Sequence, residues 1–314
     1  MAPAAAPSTA AAPSTAAAPP TAAAPPTAAA ARPRSARPAV GACSTDLPPP
    51  EPAAPTGTLA GARVLVTGAS SGIGAATVRL LAAEGAYVVA GGRDRAALAC
   101  LAAETGARPA PGDLLQPATA RHTVEAALAE LGGLDVVVSN AGVGWAGRFE
   151  DMASGEIDRL LDVNLRSAAH LVHAALPHLA RPGGRLVLVG SIAGVLGVPG
   201  EAWYSATKAG LHGFAEALRA EVAPSGMGVT LVTPGVVATR FFDRRNRGYD
   251  RARPRPLPPE RLATAILTCL LDGRDEVMVP GWLSLPARLH GGLPGLYRTL
   301  ARRLTSTPAA LHSA

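Results

Sequence analysis

At 314 residues, with three cysteines and a formal net charge of +6 at pH 7, the chain leaves several classes unsupported. Cys43, Cys100 and Cys269 lie far apart without metal-ligand spacing, so neither a disulfide framework nor a metal centre is expected, and a reducing cytoplasm is the simplest setting. No apolar run reaches membrane-spanning length, and the Arg excess follows the Ala/Gly/Arg/Pro bias of the whole chain, so nucleic acid is not an expected partner.

Residues 7–30 repeat a six-residue unit, Pro-Ser-Thr-Ala-Ala-Ala twice and then Pro-Pro-Thr-Ala-Ala-Ala twice. Proline at this density blocks helix and sheet, and Ala, Ser and Thr bury too little apolar area to offset ordering entropy. Residues 1–57 are therefore expected to be disordered, either a dispensable tail, which is the favoured reading, or a tether or processed leader. No Leu/Val-rich core follows a basic N-terminus, which argues against a secretory signal. The remaining ~255 residues fit one α/β domain.

Arg63-Val64-Leu65-Val66-Thr67 reads as a buried strand running into Thr67-Gly68-Ala69-Ser70-Ser71-Gly72-Ile73-Gly74 and then a helix over Ala75–Glu84. This is the first βα unit of a dinucleotide fold. Gly68 permits the tight turn, Gly72 lets backbone approach a pyrophosphate, and Gly74 lets the helix pack on the strand, with the helix N-terminus facing the phosphates. Tyr87–Gly91 is a second strand, ending at Gly92 and Arg93 rather than at an acidic residue. The planar fork of Arg93 suits a 2′-phosphate, which favours NADP(H) over NAD(H). Ser71 could add a hydroxyl to the same phosphate. Asp94 tempers this preference unless its side chain caps the helix at 95–104.

A third strand ends near Asp113 and Leu114, with Asp113 placed either for the adenine edge or as a helix cap. A helix over 117–131 follows. Leu134–Val138 is a fourth strand leading into Ser139-Asn140-Ala141-Gly142. Gly155–Leu179 reads as one long helix carrying Asn164 among apolar neighbours. Arg185–Gly190 is a fifth strand ending at Ser191, followed by a Gly-rich loop and a helix bearing Tyr204 and Lys208. Gly228–Val232, a helix over Pro259–Leu271 and Glu276–Pro280 complete the alternation. The pattern implies an α/β Rossmann-like, doubly wound parallel sheet of about seven strands, with its ligand at the carboxyl ends of the strands.

Tyr204 and Lys208 lie one turn apart on one helix face. A nearby ammonium favours the phenolate, and moving a phenol from ~10 toward neutrality takes about 4 kcal/mol. Such a group can trade a proton with a carbonyl or carbinol oxygen.

Taken together, these motifs resemble the short-chain dehydrogenase/reductase family, in its single-domain Tyr-x-x-x-Lys branch. The resemblance covers about residues 58–282 and rests on Thr-Gly-x-x-x-Gly-Ile-Gly at 67–74, Asn-Ala-Gly at 140–142, Asn164, Ser191, Tyr204/Lys208 and Pro-Gly-x-x-x-Thr at 234–239. Ser139 stands where the family commonly has a further Asn. The resemblance implies that Tyr204 is the acid/base and that Ser191 hydrogen-bonds the reacting oxygen. It implies that Lys208 depresses the Tyr204 pKa and binds the nicotinamide ribose, and that Asn164 holds a relay water. Residues Pro234, Gly235, Val237 and Thr239 would hold the carboxamide. Gly68, Ser70, Ser71, Gly72, Ile73, Gly74, Arg93, Asp113, Leu114, Asn140, Ala141 and Gly142 complete the implied cofactor site. A homodimer or homotetramer is implied, through helices that include the one carrying Tyr204.

The Arg-rich stretch at about 240–258 falls where the family has a mobile substrate lid. Its arginines could meet an acidic carrier such as a phosphopantetheine thioester, although a solvated loop is the blander reading. Phe241, Phe242, Trp145 and Trp203 could make the pocket apolar. The segment 283–314 is basic, Leu-rich and amphipathic, broken by Pro286 and Pro294. It could pack on its own protein, cover the substrate mouth, or lie on an anionic membrane surface. The expected activity is NADP(H)-dependent interconversion of a carbonyl and a secondary alcohol on an apolar or lipid-like small molecule. A 3-oxoacyl thioester reductase, an NADP(H)-binding regulator without turnover and a membrane-docked scaffold are the alternatives.

Overall fold

A parallel sheet forms the frame, and its strands follow from the apolar, β-branched runs of the sequence. In the computed structural model, residues 58–116, 118–249 and 254–305 are described. The repeat segment 1–57, part of the expected lid and the end of the tail lie outside the described residues. The strands are β1 (Arg63–Val66), β2 (Tyr87–Gly92), β3 (Arg108–Pro111), β4 (Val136–Ser139), β5 (Arg185–Val189), β6 (Gly228–Pro234) and β7 (Glu276–Val279). They pair in the order β3-β2-β1-β4-β5-β6-β7, parallel throughout. The order reverses at β1, so the loops leaving β1 and β4 diverge and open a crevice at their carboxyl ends.

Successive strand residues point to opposite faces, and the core divides accordingly. Val64, Val66, Val88, Ala90, Val136 and Val138 face one layer, built from α1 (Gly72–Ala83), α2 (Arg95–Thr105) and α8 (Pro259–Asp272). Leu65, Val89, Val137, Leu186, Leu188 and Leu231 face the other, built from α3 (Thr119–Leu131), α5 (Ser167–Leu179) and α7 (Ala202–Val222). The amino ends of the strands are tied by Asp135. Its carboxylate accepts from the Arg63 backbone N–H at 2.8 Å and from Arg63 Nε and Nη2, both at 2.9 Å, and it pairs with Arg181. Burial pushes this carboxyl up, but the Arg63 and Arg181 guanidiniums hold it below its ordinary range.

Three elements differ from the sequence reading. The long helix expected over Gly155–Leu179 is α4 (Ser154–Leu161), a π-helical turn (Asp162–Arg166) and α5. The wider turn carries Asn164, 1% exposed, whose side chain is fastened to another loop. A short helix, α6 (Ala193–Leu196), occupies the start of the Gly-rich loop. The tail is two helices, α9 (Ser284–Gly292) and α10 (Pro294–Thr305). Pro286 does not break α9, because it sits in the first turn, where no intrahelical N–H donor is needed, and Pro294 opens α10.

Candidate active site

The loops at the carboxyl ends of the strands are bound to one another before any ligand is considered. The Thr67 hydroxyl accepts from Asn140 N at 3.1 Å and Ala141 N at 3.3 Å, and Asn140 Nδ2 donates to Thr67 O at 3.0 Å and Gly68 O at 3.3 Å. Asn140 therefore braces the glycine turn with its carboxamide. Gly68 (φ 65) and Gly72 (φ 57) occupy left-handed backbone, and a Cβ at Gly74 would collide with the Gly68 carbonyl. A Cβ at Gly72 would lie 2.8 Å from Thr239 Cγ2, so this glycine admits the threonine of the 234–239 segment.

The cradle fits a nucleotide phosphate. Helix α1 starts at Gly72, and the Ser71 side chain makes no cap bond to it. Its positive end is thus open, and Ser71, Gly72 and Ile73 line a cavity of about 1370 Å³. Arg93 stands exposed at the end of β2 on the same cavity, paired with no carboxylate among the described residues. Asp94 accepts from Ala97 N at 3.0 Å and caps α2, so its alternative assignment holds. Asp113 Oδ1 accepts from Leu115 N at 3.1 Å, and Asp113 and Leu114 line the cavity just beyond β3. Ser70, Pro234, Gly235, Val237, Ala141 and Gly142 also face it.

Further along the same cavity lie Ser191, Tyr204 and Lys208, with Asn164 buried beside them. Burial pushes the Tyr204 phenol up to about 12; the neighbouring Ser191 hydroxyl opposes this, Glu201 adds to it and Arg245 counters it. Burial lowers Lys208 to about 8, and its Nζ donates to Val189 O at 3.0 Å. The ammonium expected to draw the phenol down is therefore held by a strand carbonyl, and it is not among the groups that shift Tyr204. Asn164 Oδ1 accepts from Val143 N at 2.8 Å, and its Nδ2 donates to Val143 O at 2.9 Å and Thr207 Oγ1 at 3.2 Å. Both amide protons are used, and Oδ1 keeps one lone pair. A Cβ at Gly142 would stand 3.4 Å from Asn164 Oδ1 and 3.5 Å from Lys208 Nζ, so the two side chains meet beside this residue.

The apolar wall comes from the segment after Thr239. The Phe241 ring lies 5.7 Å from that of Tyr204, Phe242 stacks edge-on at 5.4 Å from Phe241, and Tyr249 follows at 5.3 Å from Phe242. Trp145 and Trp203 support this wall from behind rather than lining it; Trp203 Nε1 is tied to Ile157 O at 2.8 Å. Leu283, Leu289 and Leu300 of the tail also line the cavity. Thr207, Glu201 and Arg245 were not anticipated from the sequence. Thr207 sits inside the Tyr204–Lys208 spacing and Glu201 three residues before it, but nothing in the sequence joins Glu201 to Arg245.

The frame and cradle define a nucleotide-binding α/β oxidoreductase architecture. The short chain dehydrogenase family model matches residues 62–250. An uncharacterized oxidoreductase of Myxococcus xanthus (strain DK1622) is 36% identical over 249 residues, covering 76% of this chain and 96% of that protein. Two solved structures superpose closely. The 3-ketoacyl-(acyl-carrier-protein) reductase of Brucella melitensis complexed with NADH has a TM-score of 0.65 and 28% identity, covering 71% of this chain and 98% of that one. A short chain dehydrogenase of Burkholderia cenocepacia J2315 in complex with NADP has a TM-score of 0.62 and 31% identity, covering 70% and 96%. The chain belongs to the short-chain dehydrogenase/reductase family and is an NAD(P)-dependent oxidoreductase.

Proposed function

We propose that the protein uses NADP(H) to interconvert a carbonyl and a secondary alcohol on an apolar, lipid-like small molecule. The observation that carries this reading is the Tyr204 phenol. It is buried and shares one cavity with Ser191, the phosphate cradle and the phenylalanine wall. A phenol that stays protonated is equipped to donate a proton to a carbonyl oxygen. The Ser191 hydroxyl can hold the same oxygen as charge develops there. A bound nicotinamide would supply the hydride chemistry. Lys208 would bind its ribose, and Pro234, Gly235, Val237 and Thr239 would orient the ring. Asn164 positions Val143 and Thr207 beside Lys208, and the free Oδ1 lone pair is what it has for a relay water.

NADP(H) over NAD(H) is supported by Arg93, which has no acidic partner among the described residues, and by the commitment of Asp94 to its helix. A thioester such as a 3-oxoacyl carrier conjugate is a second reading, supported by the arginines of the lid and by likeness to the Brucella reductase. A regulator without turnover has less support, since it has no use for a complete Asn164/Ser191/Tyr204/Lys208 set. Contact with an anionic membrane through the tail is proposed from its exposed leucines and its charge.

A panel of ketones, aldehydes and 3-oxoacyl thioesters, assayed with NADPH and NADH, tests the reading. NADPH should be consumed with apolar members of the panel. Arg93→Asp should swing the cofactor ratio toward NADH by roughly tenfold or more, equivalent to about 1.4 kcal/mol. An unchanged ratio would mean that another residue reads the 2′-phosphate, and silence across the panel would favour the regulator.

A further inference from the structure

The segment over the pocket is fastened at three successive residues, each to a different wall. Arg244 Nη1 donates to Ser71 Oγ at 3.4 Å, on the glycine turn. Arg245 Nη1 donates to Glu201 Oε1 at 2.6 Å, at the start of α7. Asn246 Oδ1 accepts from Ala146 N at 2.8 Å, on the loop after β4.

The middle contact differs in kind from its neighbours. The Arg245 side chain is only 6% exposed and that of Glu201 18%, so the pair is largely withdrawn from water. The segment also wraps around the guanidinium. Arg245 Nε donates to Arg247 O at 2.6 Å, Nη2 donates to Gly248 O at 3.4 Å, and the group sits 4.7 Å from the centre of the Phe242 ring. Phe242 in turn packs on Phe241, which packs on Tyr204. One guanidinium thus organises the segment's backbone, its aromatic wall and its attachment to the helix that carries Tyr204.

We propose that Arg245 and Glu201 form the latch of the substrate lid: paired, they hold Phe241 and Phe242 against Tyr204, and unpaired, they free residues 240–249 for exchange of substrate. Both are positioning residues, and the proposal rests on the reading of Tyr204 as the acid/base. A buried ion pair suits this task because losing one partner strands the other charge out of water, which makes the closed state sensitive to a single contact. Arg244 and Asn246 supply one hydrogen bond each and align the lid edges.

The charges also bear on the phenol with opposite sign. Glu201 disfavours the phenolate and Arg245 favours it. The groups disposed around Tyr204 are Glu201 and Lys208 on its own helix, Ser191 on the loop after β5, and Arg245 on the lid.

Hydrogen exchange of the full-length protein, without ligand, tests the latch independently of turnover. Glu201→Gln and Arg245→Met should each speed exchange across 240–249 by about tenfold or more while the central strands keep wild-type protection. Arg245→Lys should preserve more of that protection than Arg245→Met. Wild-type exchange across 240–249 in both variants, or equal acceleration through the whole fold, would overturn the latch. If the wild-type enzyme turns over a carbonyl, KM should rise more than kcat falls in both variants. The limb of the pH profile assigned to Tyr204 should move to lower pH in Glu201→Gln and to higher pH in Arg245→Met. A displacement in the same direction would mean a purely structural lid and would also overturn the proposal. Silence of the wild type would instead discard the reading of Tyr204, and the exchange data would still decide whether the pair holds the lid.

Discussion

Tyr204 and Lys208 occupy one turn of α7, and burial drives both toward their neutral forms. The phenol moves up to about 12 and the ammonium down to about 8. In the free protein Tyr204 is therefore a proton donor, the form that reduction needs, and Lys208 sits close to its own titration. The lysine leaves a trace in stability. Its folded value of about 8 lies below the model-peptide value of 10.5, so between those limits the unfolded chain binds more protons and stability rises with pH. At about 1.4 kcal/mol per unit, the upper limit is about 3 kcal/mol. Tyr204 acts in reverse, removing stability between about 10 and about 12. Urea midpoints taken from pH 8 to 9.5 should climb in the wild type and climb less in Lys208→Met; parallel slopes would contradict the burial of a titrating amine. The spacing of Tyr204 and Lys208 was visible in the sequence, but the direction of their shifts was not. Spacing places two groups on one face, whereas their pKa values depend on solvent exclusion and on Val189 O, a strand carbonyl that no motif marks.

Among the elements, strands β1, β2, β4, β5 and β6 were legible because short β-branched runs ended in glycine or hydroxyl residues have few other readings. The glycine turn was legible because its chemistry fixes its spacing. The π-helical turn around Asn164 was not, since one extra residue in a turn barely disturbs an apolar pattern. The Glu201–Arg245 latch joins positions 44 residues apart, and such a pairing depends on the path of an irregular loop. The tail was legible as amphipathic and as divided at Pro294, but Pro286 was misread as a second break, because a proline in a first turn reads from sequence like a proline in a helix interior. Leu283 just before α9, Leu289 on α9 and Leu300 on α10 line the cavity, while Leu285, 75% exposed, Leu293 and Leu296 remain outside. No Asp or Glu follows Glu276, whereas Arg288, Arg298, Arg302 and Arg303 do. That combination suits an anionic lipid surface. The protein should float with phosphatidylserine-containing vesicles and not with neutral ones, and the Leu285→Asp/Leu296→Asp double variant should lose the association; flotation unaffected by lipid charge and by the variant would remove the membrane from the account.

The whole catalytic unit divides its labour between the two ends of one sheet. At the amino ends, Asp135 clamps Arg63 and Arg181 and fixes β1 against β4. At the carboxyl ends, where the strand order reverses, the loops are held by Thr67, Asn140 and Asn164, and the crevice between them is left for ligand. Rigid strands thus carry the phosphate cradle and Ser191, and α7 carries Tyr204 and Lys208. The central claim is that Tyr204 is the acid/base of a carbonyl–alcohol interconversion. Its most direct test is Tyr204→Phe, measured for NADPH binding and for turnover of the best substrate on the panel. The variant should fold and bind cofactor intact, with kcat reduced by at least about a hundredfold, the low end of what a general acid contributes. Turnover close to the wild-type rate in that variant would contradict the claim.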